Sequence, residues 1–189
     1  GGGGGAGRRR AGGGWVGDIA SHTYTLTSSW QKFSFVTGLG NVNAAKVGLA
    51  FRIQGLGTFD IDELTIDRAD AVLAGNILPN PGLEDYTTTA TAASWRFGVF
   101  GGNATGKIIS DAHSGDSAFR ITRNDASGDV VFDMWDSTVP VVGGADYAIG
   151  VWLRDPNNAG SQVEFHVFQF DNYGNWIGDT GSKTVDLTG

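Results

Sequence analysis

Apolar and polar residues alternate with a period of two in segment after segment of this chain, the pattern of strands with one face turned to a core. In KVGLAFRI, Val47, Leu49, Phe51 and Ile53 share a face. In DYAIGVWLR, Tyr147, Ile149, Val151 and Leu153 form one face, and Ala148, Gly150, Trp152 and Arg154 the other. In QVEFHVFQF, Val163, Phe165 and Val167 oppose Glu164, His166 and Phe168. In TFDIDELTI, Phe59, Ile61 and Glu63 alternate with Asp60, Asp62 and Leu64, an imperfect period that leaves the register open. Residues 29–38, SWRFGVF, GKIISDAHSGDSAFRITR and GDVVFDMWDSTVPV add further short segments. Residues 68–79 read as a connector with at most a helical turn, NPGLEDY as a Pro-Gly turn, and Asp171 to Asn175 as a second turn. No stretch has a sustained helical period. Short strands with turn signals between them predict a β-sandwich.

The chain also repeats itself. WVGDIASHTYTLTS at 15–28 and WIGDTGSKTVDLTG at 176–189 align without a gap, with Trp15/Trp176, Gly17/Gly178, Asp18/Asp179, Ser21/Ser182, Thr23/Thr184, Leu26/Leu187 and Thr27/Thr188 identical. The offset, 176 − 15 = 161 residues, is far longer than a solenoid repeat and matches whole domains in tandem. The sequence therefore reads as a window on an array, opening and closing at the same point of its repeat. Before it, GGGGGAGRRRAGGG at 1–14 reads as a Gly/Arg-rich linker or tail, with an anion-binding arm as the alternative.

Composition narrows the function. The net charge of −7 includes three positive charges from Arg8, Arg9 and Arg10, so the remainder stands at −10. A body so acidic is not built to hold nucleic acid. No apolar run is long enough to insert in a membrane as a helix. With no cysteine, disulfides, thiolate metal sites and cysteine nucleophiles are excluded. His22, His113 and His166 lack metal-ligand spacing, HSGDS is not a nucleophile elbow, and neither GLGNVNAAK nor GGNATGK is a phosphate loop. The expectation is a chain that is not an enzyme.

The pieces NILPNPGLE, Trp95, AHSGDSAFRIT, DYAIGVWLR, FQFDNYGNW, LTSSWQKFSF and GTFDIDELTID together resemble the jelly-roll carbohydrate-binding modules of families 4, 9 and 22, within the galactose-binding-like β-sandwiches. The order is shifted. Residues 15–75 resemble the C-terminal third of one module, and residues 76–189 the N-terminal two-thirds of the next. The resemblance implies an all-β jelly-roll sandwich, split or circularly permuted. Residues 28–67 then either fold back onto 76–189 or complete a neighbouring copy by strand donation.

The resemblance further implies a structural Ca²⁺ where the chain ends meet, with Glu84 and Asp62 as carboxylate ligands and Ser114 and Gly115 as carbonyl donors. A glycan needs flat apolar rings beside polar side chains. The exposed-face residues Trp135, Trp152, Arg154, Glu164 and His166, with Tyr173 at a turn, are the candidates for one groove. Trp30 and Trp95, and the repeated Trp15 and Trp176, are assigned to packing. Two functions follow. The first is a non-catalytic extracellular or cell-surface repeat module whose partners are copies of itself, assembled into a fibre, sheath or surface array by strand exchange. The alternative is a module that holds a polysaccharide on an aromatic face for a secreted enzyme or adhesin.

Overall fold

The computed structural model describes residues 27–69, 75–160, 162–179 and 183–186, the last by backbone alone. The proposed linker at 1–14 and nearly all of the first repeat copy lie outside the described residues. Twelve strands are defined: β1 (Gln31–Gly38), β2 (Lys46–Ile53), β3 (Gly57–Arg68), β4 (Arg96–Phe100), β5 (Ala104–Ile109), β6 (Ala118–Arg123), β7 (Asp129–Asp133), β8 (Val139–Pro140), β9 (Asp146–Arg154), β10 (Gln162–Phe170), β11 (Trp176–Asp179) and β12 (Lys183–Asp186). No helix occurs among the described residues.

The strands form two antiparallel sheets. One runs β1-β9-β3-β6-β5. The other runs β11-β10-β2-β7-β4, with β12 also on β10 and β8 also on β2. The fold is an all-β sandwich, as the alternation predicts. The early strands are not an appendage. β3 lies between β9 and β6, and β2 lies between β10 and β7. Residues 46–68 thus hold central positions in both sheets, and the sandwich closes within one chain. Successive strands mostly switch from one sheet to the other through short connections, so strands far apart in sequence become neighbours in space.

The period-two faces meet in one core. Val47, Leu49, Phe51 and Ile53 point inward, as do Tyr147, Ile149, Val151 and Leu153, and Val163, Phe165 and Val167. Phe51 stands edge-on to Phe165 at 4.9 Å between ring centroids. Trp95 stacks on Phe132 at 5.0 Å, and Phe132 stacks on Phe119 of the facing sheet at 4.5 Å. Full burial of one such ring contributes roughly 1.5–3 kcal/mol. Trp95 is a core residue, as expected.

The irregular alternation of β3 has a local cause. Its register against β9 shifts between Asp62 and Thr65, and Glu63 takes φ = +51°. This is a β-bulge, in which one extra residue re-aims the rest of the strand. Phe59 and Ile61 point into the core before it, and Leu64 and Ile66 after it. Asp60 and Asp62 therefore face the other side, and both are fully buried there. The NPGLEDY turn is locked by Asn80, whose amide donates to the Asp85 and Ala93 carbonyls and whose Oδ1 accepts from the Asp85 N–H. That turn places Leu83 in the core.

Candidate ligand groove

A depression of about 320 Å³ lies on the outer face of the sheet that contains β2, at the small end of the usual range for ligand sites. Its shape follows from residue size along the central strand. The outward positions of β2 are Lys46, Gly48, Ala50 and Arg52. Ala50 forms the floor, with His166 of β10 opposite it on one side and Asp133 of β7 on the other. Phe168 and Asp179 extend the first wall, and Val131, Arg96 and Phe100 extend the second. Phe100 lies back over Gly98, where a β-carbon would come within 2.8 Å of its ring.

Trp135 closes one end. It follows β7, but its ring reaches across β2 to meet Phe168 and Phe170 of β10 edge-on, at 5.2 and 5.3 Å. Gly48 permits the crossing, since a β-carbon there would sit 3.1 Å from the Met134 carbonyl oxygen. The turn is tethered by Asp133, whose Oδ1 accepts from the Trp135 N–H at 3.0 Å. Arg96 holds the same carboxylate with a two-pronged fork of 3.0 and 2.8 Å. That hydrogen bond raises the already high pKa of Arg96, and the planar fork fixes the carboxylate's orientation. Trp135 itself stays 40% exposed, so its ring is open to a ligand.

Arg52 stands toward the other end and pairs with Asp129, at 3.0 Å through Nε and 2.6 Å through a terminal nitrogen. His166 Nδ1 bonds Asp179 Oδ2 at 2.7 Å. Its Nε2 lies 3.3 Å from Glu164 Oε2, close enough for an ion pair but not aligned as a hydrogen bond. Burial is the largest influence on His166 and favours the neutral ring. The Asp179 hydrogen bond and the charges of Asp179 and Glu164 together outweigh it, so the pKa is raised above the ordinary histidine value.

Three of the six residues expected in a glycan groove thus share this face: Trp135, Glu164 and His166. Trp152 and Arg154 do not, because β9 belongs to the other sheet. There Trp152 stacks on His113 at 3.6 Å. Arg154 lies over Trp30 at 4.6 Å and bonds Asp60 at 2.7 Å and Asp111. Asp60 also receives a fork from Arg120. Asp60 and Arg154 are buried in this ion cluster, with Arg120 and Asp111 reaching toward the surface. Trp30 is half-buried beside it. Tyr173 is 91% exposed on the β10–β11 turn, beside a separate depression with Val42 and Ile177.

Alternation identified which residues of one strand share a face. It carried no information on which strands are neighbours. Arg52, Arg96, Asp129 and Asp179 were missed for that reason. The available signal was the small outward residues of KVGLAFRI, which mark a trough once β2 is known to be central.

The residues expected to hold Ca²⁺ do come together. Asp62 Oδ2 accepts from the His113 and Ser114 N–H groups at 2.8 and 3.0 Å, and Oδ1 from Glu63 N–H at 2.6 Å. Glu84 Oε1 accepts from Asp116 and Ser117 N–H at 2.9 and 3.1 Å. Gly115 has φ = +65°, and a β-carbon there would collide with Glu84. The turn thus aims N–H groups, not carbonyls, at the two carboxylates. A hard cation needs oxygen donors, and the set as arranged does not fit one. Among the described residues, no cluster of three or more His, Asp or Glu has metal-site geometry.

No protein-family model matches the chain, and no curated protein matches it. Among solved structures, the collagen-binding domain of a Staphylococcus aureus adhesin aligns at 9% identity, covering 90% of this chain and all of that one, with a TM-score of 0.33. So low a score carries nothing about what this chain binds.

Proposed function

We propose that this chain is a non-catalytic carbohydrate-binding module of an extracellular or cell-surface protein, and that its groove beside β2 holds part of a polysaccharide. The observation that carries the reading is the open ring of Trp135, propped edge-on by Phe168 and Phe170 at the end of a trough with fixed polar walls. Aromatic faces stack on the C–H faces of sugar rings, and pre-oriented charged pairs exchange hydrogen bonds with hydroxyls. Rigid walls reduce the ordering cost of binding.

The absence of catalysis in this proposal is supported by the state of two acids of the groove. Asp129 and Asp133 are each committed to an arginine. Neither is left to serve as an acid or base toward a glycosidic bond.

The test is retention on insoluble polysaccharides and mobility in gels containing soluble ones. Trp135→Ala should lose retention, and Trp152→Ala, on the opposite sheet, should keep it. Loss with Trp152→Ala but not Trp135→Ala would overturn the assignment of this face. Absence of retention by the parent chain across plant, fungal and bacterial glycans would overturn the carbohydrate reading.

A further inference from the structure

The second copy of the internal repeat has a defined place in the fold. It supplies β11 and β12, which pair with the outer edge of β10. Gly178 lies opposite Gln169, Asp179 opposite Phe168, Thr184 opposite Glu164 and Val185 opposite Val163. The first copy, at 15–28, lies almost wholly outside the described residues.

The structure gives physical meaning to particular identities between the copies. Gly178 has φ = +139°, which side-chain-bearing residues rarely adopt; its counterpart is Gly17. Asp179 makes the 2.7 Å bond to His166; its counterpart is Asp18. Trp176 pairs with Phe170 at the bulge that begins β11; its counterpart is Trp15. At Gly178 and Asp179, where the backbone angle and the bond to His166 constrain the residue, the first copy carries the same residue; opposite Val163 and Phe165, where the second copy has Val185 and Lys183, the first has Tyr24 and His22.

We propose that the β10 edge is an exchange seat, and that residues 15–28 of a second copy of this chain occupy it in place of residues 176–189. The native occupant is two short strands, each of four residues, against the nine of β10. An exchange replaces these ladder bonds with equivalent ones, so its free energy is set mainly by the cost of association. The C-terminal copy has the advantage of proximity. The Asp171–Asn175 turn tethers it, with Asp171 accepting from the Tyr173 and Asn175 N–H groups, and a short tether corresponds to an effective concentration of the order of millimolar. Exchange is thus favoured where copies are crowded or arrayed in tandem. Each exchange joins a donor to an acceptor, and repetition gives an open, head-to-tail chain.

The test uses the full chain, which has no cysteine of its own. One version carries Thr23→Cys, and a second carries Glu164→Cys with Gly178→Val, the latter to weaken the resident strand. Thr23 is the counterpart of Thr184, the residue opposite Glu164. The two are unfolded together, refolded as a concentrated mixture and oxidised mildly. The expected result is a disulfide-linked heterodimer, mapped by peptide mass spectrometry. Its yield should fall at least several-fold when Glu164→Cys is replaced by Lys107→Cys on the β5 edge. Adding Gly17→Val to the donor should abolish it, and restoring Gly178 in the acceptor should reduce it. Equal yields with Glu164→Cys and with Lys107→Cys, or no heterodimer with the weakened acceptor, would overturn the proposal. Glycan retention is scored separately on the parent chain, so failure of the exchange does not bear on the groove.

Discussion

Trp135 and Phe168 belong to segments on opposite sides of β2, yet their rings meet edge to face with centroids 5.2 Å apart at 75°. The contact makes a closed-ended groove of what would be a flat strand face. It exists because Gly48 leaves room for the 134–138 turn to cross the strand. Gly48→Val should push that turn outward. The expected cost is about 1–3 kcal/mol from overpacking, with loss of the near-ultraviolet circular dichroism of the Trp135 contact and of glycan retention. An unchanged spectrum with full retention would show that Gly48 does not govern the crossing.

The tryptophans should separate by role. Trp95 is buried and stacked on Phe132, so Trp95→Ala should cost about 3–5 kcal/mol in urea unfolding. Trp135→Ala removes two edge contacts from an exposed ring and should cost about 1 kcal/mol. Similar losses at both positions would mean that Trp135 is a packing residue.

Asp60 is fully buried between Arg120 and Arg154. Asp60→Ala would leave two cations with no common counter-charge, and breaking a buried pair in this way costs about 3–5 kcal/mol. Equilibrium unfolding should show that loss, with retention on glycans unchanged per folded molecule.

The His166–Asp179 bond should make stability depend on pH. The folded-state pKa of His166 is raised, so the native state holds the proton more tightly than the unfolded chain does. The resulting stabilisation is fully present below the unfolded value of about 6.5 and disappears as pH rises through the folded value. The melting temperature should therefore fall on going upward through that interval. Asp179→Asn should flatten the fall and lower the pKa seen by NMR of the His166 ring. The groups facing the ring are Asp179, Glu164 and the Ala50–Asp133 side of the groove. A melting curve with the same slope in Asp179→Asn would exclude this pair as its source.

The 113–117 turn should respond to a β-carbon and not to calcium. Gly115→Ala imposes a side chain on φ = +65° and drives it against Glu84. The left-handed conformation alone costs about 1–2 kcal/mol. Gly40→Ala, where a β-carbon would meet nothing, serves as the control. Added Ca²⁺ should leave the melting temperature unchanged, because N–H groups already occupy both oxygens of Asp62 and Oε1 of Glu84. A rise with Ca²⁺ would mean that the turn can present carbonyls instead.

Within single strands, much was legible in the sequence. The inward faces of β2, β9 and β10 follow from period-two alternation, because burial on one face of a strand acts residue by residue. The irregularity of TFDIDELTI was visible, but its resolution as a bulge at Glu63 needed the β3–β9 register. The repeat at 15–28 and 176–189 was likewise legible, whereas the reason for conserving its glycine and aspartate lies in the backbone angle of Gly178 and the bond to His166. The site was legible only in part. The structure brings Trp135, Glu164 and His166 to one sheet face and puts Trp152 and Arg154 on the other sheet, for a single reason. Alternation specifies which way a side chain points relative to its own strand. Which sheet that strand joins is decided by long-range pairing, between residues as distant as Arg52 and Asp129, and only the tertiary structure brings those together.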